Sequence, residues 1–426
     1  MPLEDLGWAP SLLTRRGRVG VFTGLYLYQG SVAGFATLAL ANHLVANGHG
    51  TSAVGTLLAL VGLPWVLQPL LWGPLLDRAA PHPMGARRVW LVRGLLGGQI
   101  ALCLLPLLGT RPDPAALGMV LLLHSLCASL ADTATDRMIV ASVPEDELGR
   151  VSACTRAGFV TGSALGAALF GWLLPEIGIP GAAAMLLGLS TALAVAAGLV
   201  RERPGDALLR IAPPPRSVAR ILSGTPRALA AHLRGVLRVF AVFRHREAAL
   251  LLAACFGIDF ALSLFQVPFA VAMVRDRGWD AGALSQVQAM LAFLGGTVGA
   301  GLVGVAVDRA GPAPALRRLC LACAAAFAVI ALLVLGGFEA RGGPVILGLA
   351  SVVPALLYVA LQPTVVLASR AEGVSATQFQ IFMAAMNLGD VAGASLAGAF
   401  EQGASPAATA CGVALVFLLA SMRRGR

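Results

Sequence analysis

The chain has 426 residues, 58% of them hydrophobic and only 12% charged, with a mean hydropathy of +0.81. A soluble globule carries roughly 45–50% apolar and about 25% charged residues, so lipid rather than water must cover most of this protein. The net charge of +10 would suit nucleic acid, but the basic residues fall in short clusters between apolar stretches, which excludes that partner and fits a membrane protein.

The first 20 residues hold acids and then Arg15, Arg16 and Arg18. The apolar run after them is too long for a signal-peptide core, so no cleavable leader is expected. A helical crossing needs about 20 largely apolar residues. Twelve stretches qualify: 20–42, 53–76, 89–109, 115–141, 151–174, 180–200, 248–273, 284–306, 319–337, 344–368, 376–399 and 405–421. All 31 basic residues are Arg, which with the abundant Ala and Gly fits a GC-rich bacterial genome. Counted with the N-terminus inside, 24 arginines fall on the inner side and four on the outer (Arg111, Arg275, Arg277, Arg341). That bias predicts an even number of crossings in a bacterial inner membrane, with both termini cytoplasmic.

The fold class is therefore an all-α integral membrane protein. Residues 1–200 form one six-helix bundle, 201–247 a cytoplasmic linker and 248–426 a second bundle. The linker stretch PRALAAHLRGVLRVFAVFR puts Arg227, Arg234 and Arg238 on one helical face and Leu229, Leu233, Val236, Leu237 and Phe240 on another. It reads as an amphipathic helix lying on the inner leaflet; a soluble linker helix is the plainer alternative.

The halves repeat. Gly73 to Arg78 (GPLLDR) after the second stretch recurs as Gly304 to Arg309 (GVAVDR) after the eighth, with Asp77 matching Asp308. A doubled Arg follows each, Arg87-Arg88 and Arg317-Arg318, and the fifth and eleventh stretches both open on Val-Ser-Ala, at Val151 and Val374. This loop, present at equivalent places in both halves, resembles the signature loop of the major facilitator superfamily. The resemblance implies twelve transmembrane helices in two pseudo-symmetric bundles, a monomer, and alternating access. In this reading the acid and its basic neighbours hold the cytoplasmic side shut by pairing with the facing helix end. Further motifs are LYLYQGSVAGF, LPWVLQPLLWGPLLDR, DTATDR followed by PEDELGR, and ATQFQIFMAAMNLGD. They resemble the AmpG-like branch of muropeptide permeases, acetyl-coenzyme A transporters and siderophore permeases. The compact twelve-span plan is more similar to the siderophore permeases.

An ionisable group inside a span costs about 2.5–3.5 kcal/mol on insertion scales and marks a functional site by default. Spans one, four, seven and ten line the central cavity of the resembled fold. At mid-depth they carry Gln29, Asp132, Asp259 with Gln266, and Tyr358 with Gln362. These are the candidate substrate residues, and Asp132 and Asp259 the candidates for proton coupling; a hydrogen bond to a neighbouring helix is the plainer reading of both. Asp136 shares a helical face with Asp132, and a pair between Asp136 and Arg156 is expected to act in structure or gating. Asp390, Asn387, Arg93 and His124 are weaker candidates.

Four glycines of span five, at 158, 162, 166 and 171, permit close helix contact. The Gly-Pro that drug antiporters carry in this span is missing, which argues against export. The seven cysteines all lie in apolar stretches. The pair Cys320 and Cys323 lacks the further ligands a metal site needs, so no metal or cofactor is expected, and no catalytic motif points to an enzyme. The leading expectation is proton-coupled import of a polar small molecule such as a siderophore or cell-wall fragment. The alternatives are a proton-antiport exporter and a non-transporting receptor.

Overall fold

A computed structural model describes residues 10–47, 51–78, 81–110, 112–207, 230, 233–234, 237, 239–279, 281–371, 375–401 and 405–422. Helix α1 (Arg15–Ala33) starts at Thr14, whose hydroxyl accepts from the Gly17 N–H and so satisfies a donor with no partner inside the helix. A π-helical segment (Gly34–Ala39) leads on into α2 (Leu40–Ala46). Next come α3 (Thr51–Leu71), α4 (Gly73–Asp77), α5 (Arg88–Leu102) and α6 (Pro114–Ser142).

The segment α7 (Leu148–Gly198) is two helices that meet at a kink, the non-helical Gly178 at φ 68°. Two spans were expected here, and a kink rather than a loop separates them. Pro175 and Pro180 flank the break and cannot donate to the helical ladder, while glycine accepts the positive φ at no steric cost.

The second half comprises α8 (Arg246–Arg275), α9 (Ala281–Leu294), a second π segment (Gly295–Gly299), α10 (Ala300–Ala310) and α11 (Pro312–Leu335). It ends with α12 (Glu339–Arg370), α13 (Ala376–Glu401) and α14 (Pro406–Ser421). Each of the twelve expected stretches falls on helix, and seven helices among the described residues are individually long and apolar enough to cross a membrane. The described residues form no strand, only isolated bridge positions, among them Ser11 paired with Arg201. Most of the expected linker helix, including Arg227, Leu229, Val236 and Arg238, lies outside the described residues; so does Val374.

The chain divides into two compact units, and each takes a short stretch from the other half of the sequence. Unit 1 comprises Met1–Val143, Ala157–Val239 and Ser369–Gln380; unit 2 comprises Pro144–Arg156, Phe240–Ala368 and Ile381–Arg426. The exchanged pieces are the beginnings of α7 and α13, the helices that the sequence repeat makes equivalent.

Glycine seams hold each unit together. In unit 1 a Cβ on Gly30 or Gly34 would overlap the α7 carbonyls of Phe159 or Ser163. One on Gly158, Gly162 or Gly166 would overlap the α1 carbonyls of Thr23, Leu27 or Ser31. Gly171 meets nothing, so three of the four expected span-five glycines make the contact. In unit 2, Gly389 and Gly393 of α13 lie against the Phe256 and Phe260 carbonyls of α8. Bare Cα atoms let two backbones approach where lipid offers no hydrophobic drive to associate.

Candidate functional site

The repeated loop does the same physical work in each unit. Helix α4 ends at Asp77, and its carboxylate accepts from the first-turn N–H groups of α13: Ala376 at 2.6 Å and Thr377 at 3.0 Å. The hydroxyls of Thr377 (2.7 Å) and Ser375 (3.1 Å) donate to it as well, and Arg137 of α6 completes an ion pair. First-turn N–H groups have no partner within their helix, and a negative charge there is favoured by the helix dipole. Gly73 is required beside it, because a Cβ would lie 2.7 Å from the Thr377 Cα. Arg370 serves the opposite polarity, donating to the carbonyls of Ile139, Val140 and Val143 where α6 ends.

In unit 2, Asp308 accepts from the N–H groups of Gly149 (2.8 Å) and Arg150 (3.2 Å) at the start of α7, with the Arg150 guanidinium 3.7 Å away. Gly304 is held close as Gly73 is: a Cβ there would lie 2.7 Å from the Gly149 carbonyl oxygen. The arginines that follow, Arg78 and Arg309, are both exposed.

The doubled Arg of the first half braces unit 1 internally. Arg88 is 1% exposed and donates to the carbonyls of Gly198 (2.8 Å), Ala207 (2.7 Å) and Met84 (3.3 Å). Arg87 pairs with Glu202, which also accepts the N–H groups of Arg87 and Arg88. Asp206 in turn accepts from Glu202 and Arg203; burial pushes its carboxyl up, against the pull of those two N–H donors. Sequence reasoning missed both acids, since nothing local ties them to arginines some 115 residues away.

Within its helices, unit 1 gathers Gln29 of α1, Gln68 of α3 and Asp132 of α6. Gln68 donates to Asp132 at 2.9 Å and to the Ser129 carbonyl at 3.2 Å, and the Gln29 side chain lies close enough to act on the Asp132 carboxyl. Trp72 donates to the Ser129 hydroxyl at 2.8 Å. One turn on, buried Asp136 accepts from the Tyr26 hydroxyl at 2.7 Å and from the Gln380 amide at 2.9 Å. The partners of Asp132 in this arrangement are neutral.

Unit 2 gathers Asp259 and Ser263 of α8, Asp390 of α13, Arg156 of α7 and Tyr358 of α12. The Ser263 hydroxyl donates to Asp390, and Asp259 feels the charges of Asp390 and Arg156. The Arg156 guanidinium lies 5.6 Å from the Tyr358 ring centroid, within cation–π range. Gln362 donates to the Tyr358 hydroxyl at 3.0 Å, whereas Gln266 reaches the Ala350 carbonyl at 3.3 Å. The expected pair of Asp136 and Arg156 joins residues of different units, and each has its own partners within its unit. Asp390, a weaker candidate in the sequence, belongs to the same cluster as Asp259.

Long apolar helices carrying a few carboxylates, joined by acids that accept from helix starts, are the build of a multi-pass membrane protein. The Major Facilitator Superfamily family model matches residues 20–394; the chain belongs to that superfamily. It is 26% identical over 254 residues to the anhydromuropeptide permease of Escherichia coli strain K12, a match covering 59% of this chain and 48% of that protein. The chain thus matches about half the length of that curated relative, and the permease from Escherichia coli O157:H7 aligns to the same extent.

Among solved structures it is similar to the human organic anion transporter MFSD10 (TETRAN), with a TM-score of 0.65 and 17% identity over 96% of this chain and 99% of that one. It is also similar to the Escherichia coli fucose:proton symporter FucP, with a TM-score of 0.66 and 13% identity over 96% and 98% of the two chains. At such identities these likenesses speak for the fold alone.

Proposed function

We propose that the protein is a secondary transporter that imports a polar cell-wall fragment of the muropeptide class together with protons, by alternating access. In this reading a monomer makes twelve crossings of a bacterial inner membrane, with both termini cytoplasmic and 201–247 joining the two bundles. The carrying observation is that Asp132, on a long apolar helix, is held by the neutral amide of Gln68, with the Asp136 carboxyl as a charged neighbour. A carboxyl held by amides rather than by a cation can bind and release a proton without breaking an ion pair, and such a group in a span is kept for function. Asp259, with Asp390 and Arg156 nearby, offers a second loading site in unit 2. Gln29, Gln266, Tyr358 and Gln362 supply the neutral donors and acceptors that a sugar-peptide needs. The similarity to anhydromuropeptide permeases favours that substrate class over the siderophores that compactness suggested. The Asp77 and Asp308 locks, with Gly73, Gly304 and the basic residues around them, act as the cytoplasmic gate, released once per cycle.

Uptake of a labelled anhydromuropeptide into proteoliposomes tests this reading. An inside-directed proton gradient should drive accumulation, and Asp132→Asn or Asp259→Asn should abolish it while counterflow exchange persists. Wild-type accumulation in both variants, or uptake indifferent to a protonophore, would remove the coupling claim.

A further inference from the structure

In unit 2, helices α11 and α12 part to leave an apolar groove of about 900 Å³. Its walls run from Leu319 to Leu333 on α11 and from Arg341 to Leu356 on α12, about 20 Å of helix at 1.5 Å per residue. That exceeds the depth of one leaflet, about half of a roughly 30 Å hydrocarbon core. Val329, Val345 and Leu349 in these walls are large apolar side chains left 53%, 55% and 52% exposed, so the groove opens sideways, towards lipid.

One charged side chain lines it, Arg341 in the first turn of α12. Arg341 is exposed, and no acid among the described residues is ion-paired with it. The acid two residues before it, Glu339, is paired with Arg277. An apolar slot longer than a leaflet, closed at one end by an uncommitted guanidinium, has the polarity of a phospholipid.

We infer that this groove is a binding site for an anionic phospholipid, one acyl chain lying between α11 and α12 and the headgroup phosphate on Arg341. A planar guanidinium binds phosphate through paired N–H donors, whereas a zwitterionic headgroup brings its own cation to compete. Arg341 falls among the few arginines of the outer face, so the lipid comes from the outer leaflet.

The test is native mass spectrometry of the whole protein released from nanodiscs holding equal phosphatidylglycerol and phosphatidylcholine. The wild type should keep one phosphatidylglycerol per chain in preference to phosphatidylcholine. Arg341→Gln should erase the preference, Arg341→Lys should keep part of it, and Ala326→Trp, which fills the slot, should lose the bound lipid. A photoactivatable acyl chain should label peptides spanning 319–333 and 345–356, which keeps the site testable if a variant folds poorly. Equal retention of both headgroups by the wild type, a preference surviving in Arg341→Gln, labelling elsewhere, or cross-linking of a second copy of this chain through the groove would each overturn the inference.

Discussion

The two copies of the Gly-x-x-x-Asp loop share a design and differ in how tightly they are fastened. Asp77 takes four hydrogen bonds from the start of α13 and an ion pair from Arg137. Among the described contacts, Asp308 takes two N–H groups and one long ion pair. The difference extends outward from the loops. Arg88 is buried in a brace with Glu202 close by, while Arg317 and Arg318 are exposed. The α1–α7 seam uses glycines from both helices and the α8–α13 seam from one. A repeat conserves where an acid meets a helix start, because that geometry follows from the loop itself. How many further donors converge depends on residues elsewhere in each unit. Among the described contacts, the unit 1 loop therefore has the more partners.

Substitution in the seams should give the largest effects. Gly162→Leu forces a side chain into the Leu27 carbonyl and Gly393→Leu into the Phe260 carbonyl. Backbone cannot yield as a flexible side chain does, so both should lose folded protein, measured as the monodisperse fraction after detergent extraction. Gly162→Leu should lose more, since neighbouring glycines lock its seam from both sides; equal losses would break the comparison.

Asp77→Asn comes next. It leaves Arg137, with 13% of its side chain exposed, without its counter-charge, a loss somewhat below that of a fully buried pair, about 3–5 kcal/mol. Transport should fall at least tenfold and thermal stability should drop. Asp308→Asn should cost less, about 1–2 kcal/mol for weakened hydrogen bonds, with transport reduced only a few-fold. If the Asp308 variant proves the more damaged, the ordering of the two locks is reversed. The smallest effect is expected for Arg317→Gln, an exposed position, which should stay within about 0.5 kcal/mol of wild type. The same change at buried Arg88 strands three carbonyls and should be clearly destabilising in the same thermal assay.

The candidate site was legible where charge made it so. Asp132, Asp136, Asp259 and Arg156 stand out because a charge in a span is costly and therefore conspicuous. Tyr26, Gln68 and Gln380, which donate to Asp132 and Asp136, and Ser263, which donates to Asp390, went unassigned: neutral side chains carry no such cost and blend into the apolar background. Tyr26, Gln68 and Gln380 do sit inside the motifs that resemble the AmpG-like branch, and that was the one available signal.

The sequence by itself determined the helices, their membrane setting and the repeat, since hydropathy and arginine placement are properties of consecutive residues. Which acid holds which helix start, that α7 bends at Gly178 instead of looping, and that each unit takes in the start of a helix from the other half were decided only in three dimensions. Those features depend on groups far apart in the chain meeting within hydrogen-bonding distance, and no local pattern encodes that distance.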